Sequence, residues 1–344
     1  MTIASRLRTV GAKATTIAVA LAAAFGLSVV AASPAHAANR DVLRADNTGA
    51  CEWDAVGFWV QRCDVWSPSM NRNIPVLVQP AARGGNAGLY LLDGMRAGET
   101  FTGWTASTNA PQVYADSNIN LVMPIGGAGS FYADWDYPAH FLSTGSGNDV
   151  VYKWETFLTS ELPGYLQQNF GIAPNNNSIG GLSMGGTAAL SLAAQHPDQF
   201  RQAMSYSGYL HTTAFGMQTM LRLALLDVGG FNLNNMYTSI LKPRRYQDDP
   251  YLNMGGLKNA DVYVSAASGV WAPSDLRYPL DQRIYGSGLE GLSRMSTVSW
   301  EAKARATGLN VTADYPPLGV HNWDQWTYQL NRTKDRVLDH MNAR

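Results

Sequence analysis

Cysteine and charge are both scarce in this sequence. Its 344 residues hold two cysteines and 15% charged residues, and the two signs nearly cancel, 25 basic against 26 acidic. Without a basic excess there is no electrostatic reason to expect a nucleic-acid partner. Two cysteines with no histidine in ligand spacing do not make a zinc site, so no metal is expected, and nothing calls for another cofactor. Beyond residue 32 no apolar run is long enough to span a bilayer. Internal repeats, low-complexity segments and a convincing domain linker are also lacking, which points to one domain after the N-terminus.

What the N-terminus does contain is Arg6, Arg8 and Lys13, then an apolar run from Thr16 to Ala32, then Ala35-His-Ala37. A basic start, an apolar stretch and a small-x-small site form a secretory signal peptide, here residues 1–37. The mature chain, 38–344, is then exported to the cell envelope or beyond without a transmembrane segment. Its 22 basic and 26 acidic residues leave a net charge of about −4, and its length suits a single large α/β core. In an exported chain, Cys51 and Cys63 are expected to form a disulfide, and closing so short a loop stabilises by roughly 3 kcal/mol on the chain-entropy model. Ten Trp and sixteen Tyr are many for this length. They serve core packing first, and a cleft for sugar or lipid second.

The chemistry concentrates at Gly181-Leu-Ser-Met-Gly185, a Gly-x-Ser-x-Gly pentad. Such a pentad is a nucleophile elbow when a strand precedes it and a helix follows. The context fits: Pro174-Asn-Asn-Asn177 is a turn leading into an apolar stretch at Ile179, and Thr187 to His196 is rich in helix formers and stops at Pro197. Other strands are expected at Val56–Val65, Ile74–Val78, Leu89–Gly94, Ile119–Pro124, Gln202–Ser207, Asp261–Ser265 and Asn310–Tyr315. Helical spacing marks Tyr152–Leu166, with a kink or boundary at Pro163, then Met217–Leu226 and Trp323–Asn342. Residues 208–260 are less regular and read as an insertion over the sheet. Strands alternating with helices make an α/β fold with a mostly parallel sheet covered on both faces.

A serine elbow needs a base, and the base needs an acid to orient it, in the chain order Ser, acid, His for this fold. Of the histidines well beyond Ser183, His340 falls in the terminal helix and His211 soon after the next strand. His321, in a loop directly after the last strand, has the required position. Asp275 and Glu290 both lie between elbow and His321, and spacing does not choose between them. Oxyanion donors are expected from the amide of Met184 and from the loop after Leu92-Asp-Gly94, where Met95 is the candidate.

Several segments together resemble a named family, the actinobacterial mycolyltransferases of the antigen 85 complex. They include Leu91-Leu-Asp-Gly-Met-Arg-Ala97, Ser130-Phe-Tyr132, Tyr152-Lys-Trp-Glu-Thr-Phe-Leu-Thr-Ser-Glu-Leu-Pro163, Gly181-Leu-Ser-Met184, Leu289-Glu290, and His321 with Trp323 and Trp326. The resemblance implies an exported α/β-hydrolase-fold acyltransferase without a cofactor. It would move a mycolyl group from one trehalose monomycolate to another, forming trehalose dimycolate, or onto arabinogalactan. By the same resemblance Ser183 is the nucleophile, Glu290 the acid, His321 the base, Met95 and Met184 the oxyanion donors, and Asp93, Arg96 and Trp323 the trehalose contacts. Three departures suggest a corynebacterial-type branch: no cysteine from Asp136 to Asp149, Ala266 where a cysteine is usual, and Ser107 in place of a sugar-binding asparagine. Other acceptors are envelope proteins, giving protein O-mycoloylation, or water, giving a secreted carboxylesterase.

Overall fold

A computed structural model describes residues 39–140 and 150–344. The signal-peptide expectation for residues 1–37 lies outside the described residues. Among the described residues nine strands form one sheet: β1 (Glu52–Trp53), β2 (Gln61–Ser67), β3 (Arg72–Gln79), β4 (Gly88–Leu92), β5 (Asn120–Pro124), β6 (Asn177–Leu182), β7 (Phe200–Tyr206), β8 (Asp261–Ser265) and β9 (Val311–Asp314). The strand order is β1-β2-β3-β5-β4-β6-β7-β8-β9, with the pairs from β1 through β3 to β5 antiparallel and the rest parallel.

The longer helices are α1 (Leu162–Phe170), α2 (Met184–Gln195), α3 (Met217–Gly229), α4 (Leu280–Ala306) and α5 (Trp323–His340). β4, β5 and β6 are buried at every position, as strands covered on both faces must be. Buried aromatic and aliphatic side chains fill the layers on either side of the sheet, with Trp154, Phe157 and Trp300 in one cluster and Trp104, Tyr206 and Trp326 in the other. The chain builds β4, steps back to β5, then crosses to β6 on the other side of β4. At such a reversal the loops leave opposite faces and open a crevice at the carboxyl ends of the strands. That crevice lies between Leu92 and Leu182.

Three local differences from the sequence reading have physical causes. The strand expected from Val56 begins at Gln61, because Gly57, Phe58 and Trp59 all take positive φ in a turn closed by the Val60 amide on Gly57 O. The helix through Tyr152–Leu166 continues to Phe170 but passes through a π-helical stretch, Phe157–Glu161, just before Pro163. Proline has no amide to give to residue 159, and widening the preceding turn accommodates the gap. Helix α4, 27 residues long, escapes sequence reading altogether, because Gly286, Gly288 and Gly291 dilute its helical signal. It carries Glu290.

Cys51 and Cys63 are disulfide-bonded, tying the chain ahead of β1 to β2. The segment between β7 and β8 holds α3, two short helices at Leu233–Met236 and Pro243–Gln247, and loops. Its Arg244 reaches back to the body, pairing with Glu155. Among the described residues no helix is long and apolar enough to cross a membrane.

Candidate active site

Ser183 sits between β6 and α2 with φ 53° and ψ −120°. A residue with a Cβ occupies that region at a cost of about 1–3 kcal/mol, and only tight surroundings keep it there. The surroundings are tight. A Cβ on Gly181 would lie 2.4 Å from the Gly185 carbonyl, and one on Gly185 would lie 2.5 Å from the carbonyl oxygens of Leu92 and Asp93. Both glycines of the pentad are therefore required by backbone-to-backbone contact. The Ser183 amide donates to Tyr206 O at 2.8 Å, which pins the elbow to β7.

His321 comes from the loop between β9 and α5, and its Nε2 lies 2.8 Å from Ser183 Oγ. Its Nδ1 lies 2.8 Å from Glu290 Oε2. An ionised carboxylate accepts only, so Nδ1 carries the proton and Nε2 of the neutral ring is left to accept from the serine hydroxyl. Glu290 is completely buried, a position that costs several kcal/mol for a bare carboxylate. Its second oxygen accepts from the Ala267 amide at 2.6 Å and from Ser207 Oγ at 2.8 Å, which compensates. Ser207 in turn accepts from the Trp326 indole at 3.2 Å, and the Trp326 ring meets His321 edge to face.

Helix α4 also fixes the backbone of the histidine. The His321 amide donates to Gly286 O at 3.1 Å, one turn ahead of Glu290. A Cβ at Gly286 would lie 3.5 Å from that amide, so the loop packs directly on the helix. Asp275, the other acid left open by spacing, does not meet the ring. It accepts from Asn322 Nδ2 at 2.8 Å and from the Ala272 amide at 2.7 Å, holding the segment that follows His321.

Met184 opens α2, so its N–H has no acceptor within the helix. Met95 is the second residue of a turn closed by the Ala97 amide on Gly94 O at 3.1 Å, a position whose own N–H the turn leaves unused. A Cβ at Gly94 would lie 2.7 Å from Leu182 Cδ1, so this turn lies against the elbow. Tyr132, at φ 51°, accepts from the Asp93 amide at 2.9 Å, and the Phe131 amide meets Met184 Sδ at 3.2 Å. These two strained residues brace both candidate donors.

Above Ser183 opens a cavity of about 800 Å³. Asp93, Arg96 and Trp323 all line it, as does Ser107. Asp93 is buried, and burial pushes its carboxyl up to about 7 against the Gly103 amide and Thr102, which favour the charged form. Trp323 lies so close that a Cβ on Gly103 would meet its ring at 2.1 Å. Arg96 is exposed and pairs with Asp227 of α3 at 2.6 Å. The lining also includes Met217, Met220, Ala224 and Val228 from α3 and Leu289 and Leu292 from α4, together with Asp227, Gln282 and Arg283 of the same two helices. Sequence reading missed Ser207, Ala267 and the α3 wall; a small residue after a strand carries no signal of its own.

Residues 67–337 match the family model described as "Putative esterase". The diacylglycerol acyltransferase/mycolyltransferase Ag85A of Mycobacterium tuberculosis is 40% identical over 281 residues, covering 81% of this chain and 80% of the relative. Ag85C of Mycobacterium leprae, with the same description, is 36% identical over 301 residues and 87% of each chain. Among solved structures, Mycobacterium tuberculosis MPT51 (FbpC1) superposes with a TM-score of 0.70 at 28% identity, over 82% of this chain and 98% of that one. The Staphylococcus aureus serine hydrolase FphF, at 14% identity and a TM-score of 0.60 over 80% and 97%, shares the fold. A sheet of this order, an elbow serine and identity over most of the length agree: the chain belongs to the Ag85 family of diacylglycerol acyltransferases/mycolyltransferases, on an α/β-hydrolase fold.

Proposed function

We propose that this protein is an exported mycolyltransferase that carries the acyl group on Ser183. His321 Nε2 takes the Ser183 proton as Oγ bonds to the ester carbonyl carbon of trehalose monomycolate. The amides of Met95 and Met184 receive the negative charge on the carbonyl oxygen, and Glu290 balances the imidazolium. Collapse breaks the bond to the sugar oxygen, which takes the proton from Nε2, and trehalose leaves. A hydroxyl of a second glycolipid then gives its proton to Nε2 and attacks the acyl carbon; the acyl–Oγ bond breaks, and Ser183 Oγ takes the proton back from Nε2. Asp93, Arg96 and Trp323 hold the sugar, and the α3 and α4 side chains take the hydrocarbon.

The observation that carries this reading is the hydrogen-bond chain from Ser183 through His321 to Glu290, with Ser183 and His321 lining a cavity of both polar and apolar side chains. The relatives' names supply the acyl group. The family model's esterase description supports a second reading, in which water is the acceptor. Incubation with trehalose monomycolate separates them. Dimycolate with free trehalose supports transfer; free mycolate alone supports hydrolysis.

A further inference from the structure

Among the described residues, three side chains able to carry positive charge line the cavity: Arg96, Arg283 and His321. Two of them are engaged, Arg96 by Asp227 and His321 by Ser183 and Glu290. Arg283, near the start of α4, makes no side-chain hydrogen bond or ion pair among the described residues, and its Nε is buried without a partner.

The side chain is fixed all the same. Its guanidinium lies over the Trp271 ring, 4.5 Å from the centroid. Trp271 donates its indole N–H to Ser287 Oγ at 2.8 Å. The loop carrying Trp271 pairs with the chain just ahead of His321, the Gly319 amide on Val270 O at 2.7 Å and the Gly269 amide on Gly319 O at 2.9 Å. A guanidinium stacked on an anchored indole keeps its planar fork of donors in place, so little freedom is lost when the fork meets a ligand. Gly286, whose carbonyl accepts from the His321 amide, follows Arg283 by three residues on the same face of the helix. The fork therefore stands about one helical turn from the backbone of the base. Tyr278 and Gln282 line the cavity beside it with a phenol and an amide.

Charge decides what such a fork takes. Of the carboxylates lining the cavity, Asp227 is held by Arg96, and Asp93 is buried with its carboxyl pushed up to about 7. Neither compensates Arg283, and the group that matches an unpaired guanidinium in both shape and charge is a bidentate oxyanion. We propose that Arg283 anchors an oxyanion, phosphate or carboxylate, on the sugar that accepts the acyl group, so that the cavity selects an anionic acceptor over a neutral one. The proposal rests on the acyl-transfer reading for the sugar's role, and on Arg283 and Trp271 for its charge. The acceptor hydroxyl reacts as described above, and the oxyanion keeps its charge and makes no covalent bond.

Glucose, glucose 6-phosphate and glucuronate test the site as inhibitors of the hydrolysis of a neutral short-chain nitrophenyl ester at constant ionic strength. Both charged sugars are expected to inhibit the wild type competitively and at least about tenfold more strongly than glucose, the tighter of the two naming phosphate or carboxylate as the better match. Arg283→Gln should bring all three sugars within about twofold of one another, whereas Arg283→Lys, which keeps charge without the fork, should retain part of the difference. Equal inhibition of the wild type by the three sugars, or a preference for charged sugars that survives in Arg283→Gln, would overturn the proposal. With trehalose monomycolate as donor, the charged sugars should also accept the mycolyl group faster than glucose, and a lead for glucose would overturn it as well. Selective inhibition without transfer to any sugar would instead count against the acyl-transfer reading and leave the anion site standing.

Discussion

The floor of the cavity and its α3 wall are built by different means. At the floor, Ser183, Gly181, Gly185 and the turn at Met95 are set by backbone contacts in which one added methyl would strike a carbonyl or a neighbouring side chain. At the wall, Met217 and Val228 pack against the core, while Met220 and Leu223 line the cavity exposed. Backbone contacts tolerate one residue, whereas apolar packing accepts any side chain of similar size. The floor is therefore sensitive to single changes that the wall would tolerate.

The sharpest way to break this contrast is at the nucleophile. Ser183→Ala should lower transfer by roughly 10⁵-fold while thermal unfolding stays within a degree or two, because only a hydroxyl at the floor is lost. Glu290→Gln keeps shape and removes charge, and should lower kcat by about 10²–10⁴-fold. Asp275→Ala, which loosens only the segment after His321, should cost less than Glu290→Gln; steady-state kinetics of the pair checks the order. Gly185→Ala should destabilise by about 3 kcal/mol or prevent folding, read by denaturant unfolding, since the new methyl meets two carbonyl oxygens.

Smaller effects sharpen the wall and the sugar side. Asp93 holds its proton up to about pH 7 in the folded chain, against about 4 when unfolded. Between those values the native state binds more protons, so stability should fall as pH rises from about 4 to 7. Asp93→Asn should flatten that slope in melting curves. Leu223→Ala should leave stability within about 0.5 kcal/mol, its side chain being mostly exposed, yet shift KM among acyl chains of different length by a few-fold.

The same contrast explains what could be read in advance. The pentad and the strands β4 and β5 are legible because strict contacts demand particular residues: Gly181 and Gly185 for close approach, apolar runs for strands covered on both faces. His321 is legible because the fold puts its base after the last strand. The acid was not legible from spacing, because Glu290 stands on a helix whose glycines hide it, and only the ring contact separates it from Asp275. The Ser207 hydroxyl and the Ala267 amide support Glu290 through long-range contacts that no local pattern announces. The α3 wall leaves no fixed pattern, since many apolar sequences would serve.

On the proposed mechanism the acyl group rests covalently on Ser183 between donor and acceptor. Rapid quenching of the enzyme with trehalose monomycolate, followed by intact mass and peptide mapping, tests it most directly. One mycolyl mass on the peptide carrying Ser183, cleared when trehalose is added and absent from Ser183→Ala, is the predicted result. Turnover without any adduct, or an adduct on another residue, would contradict it.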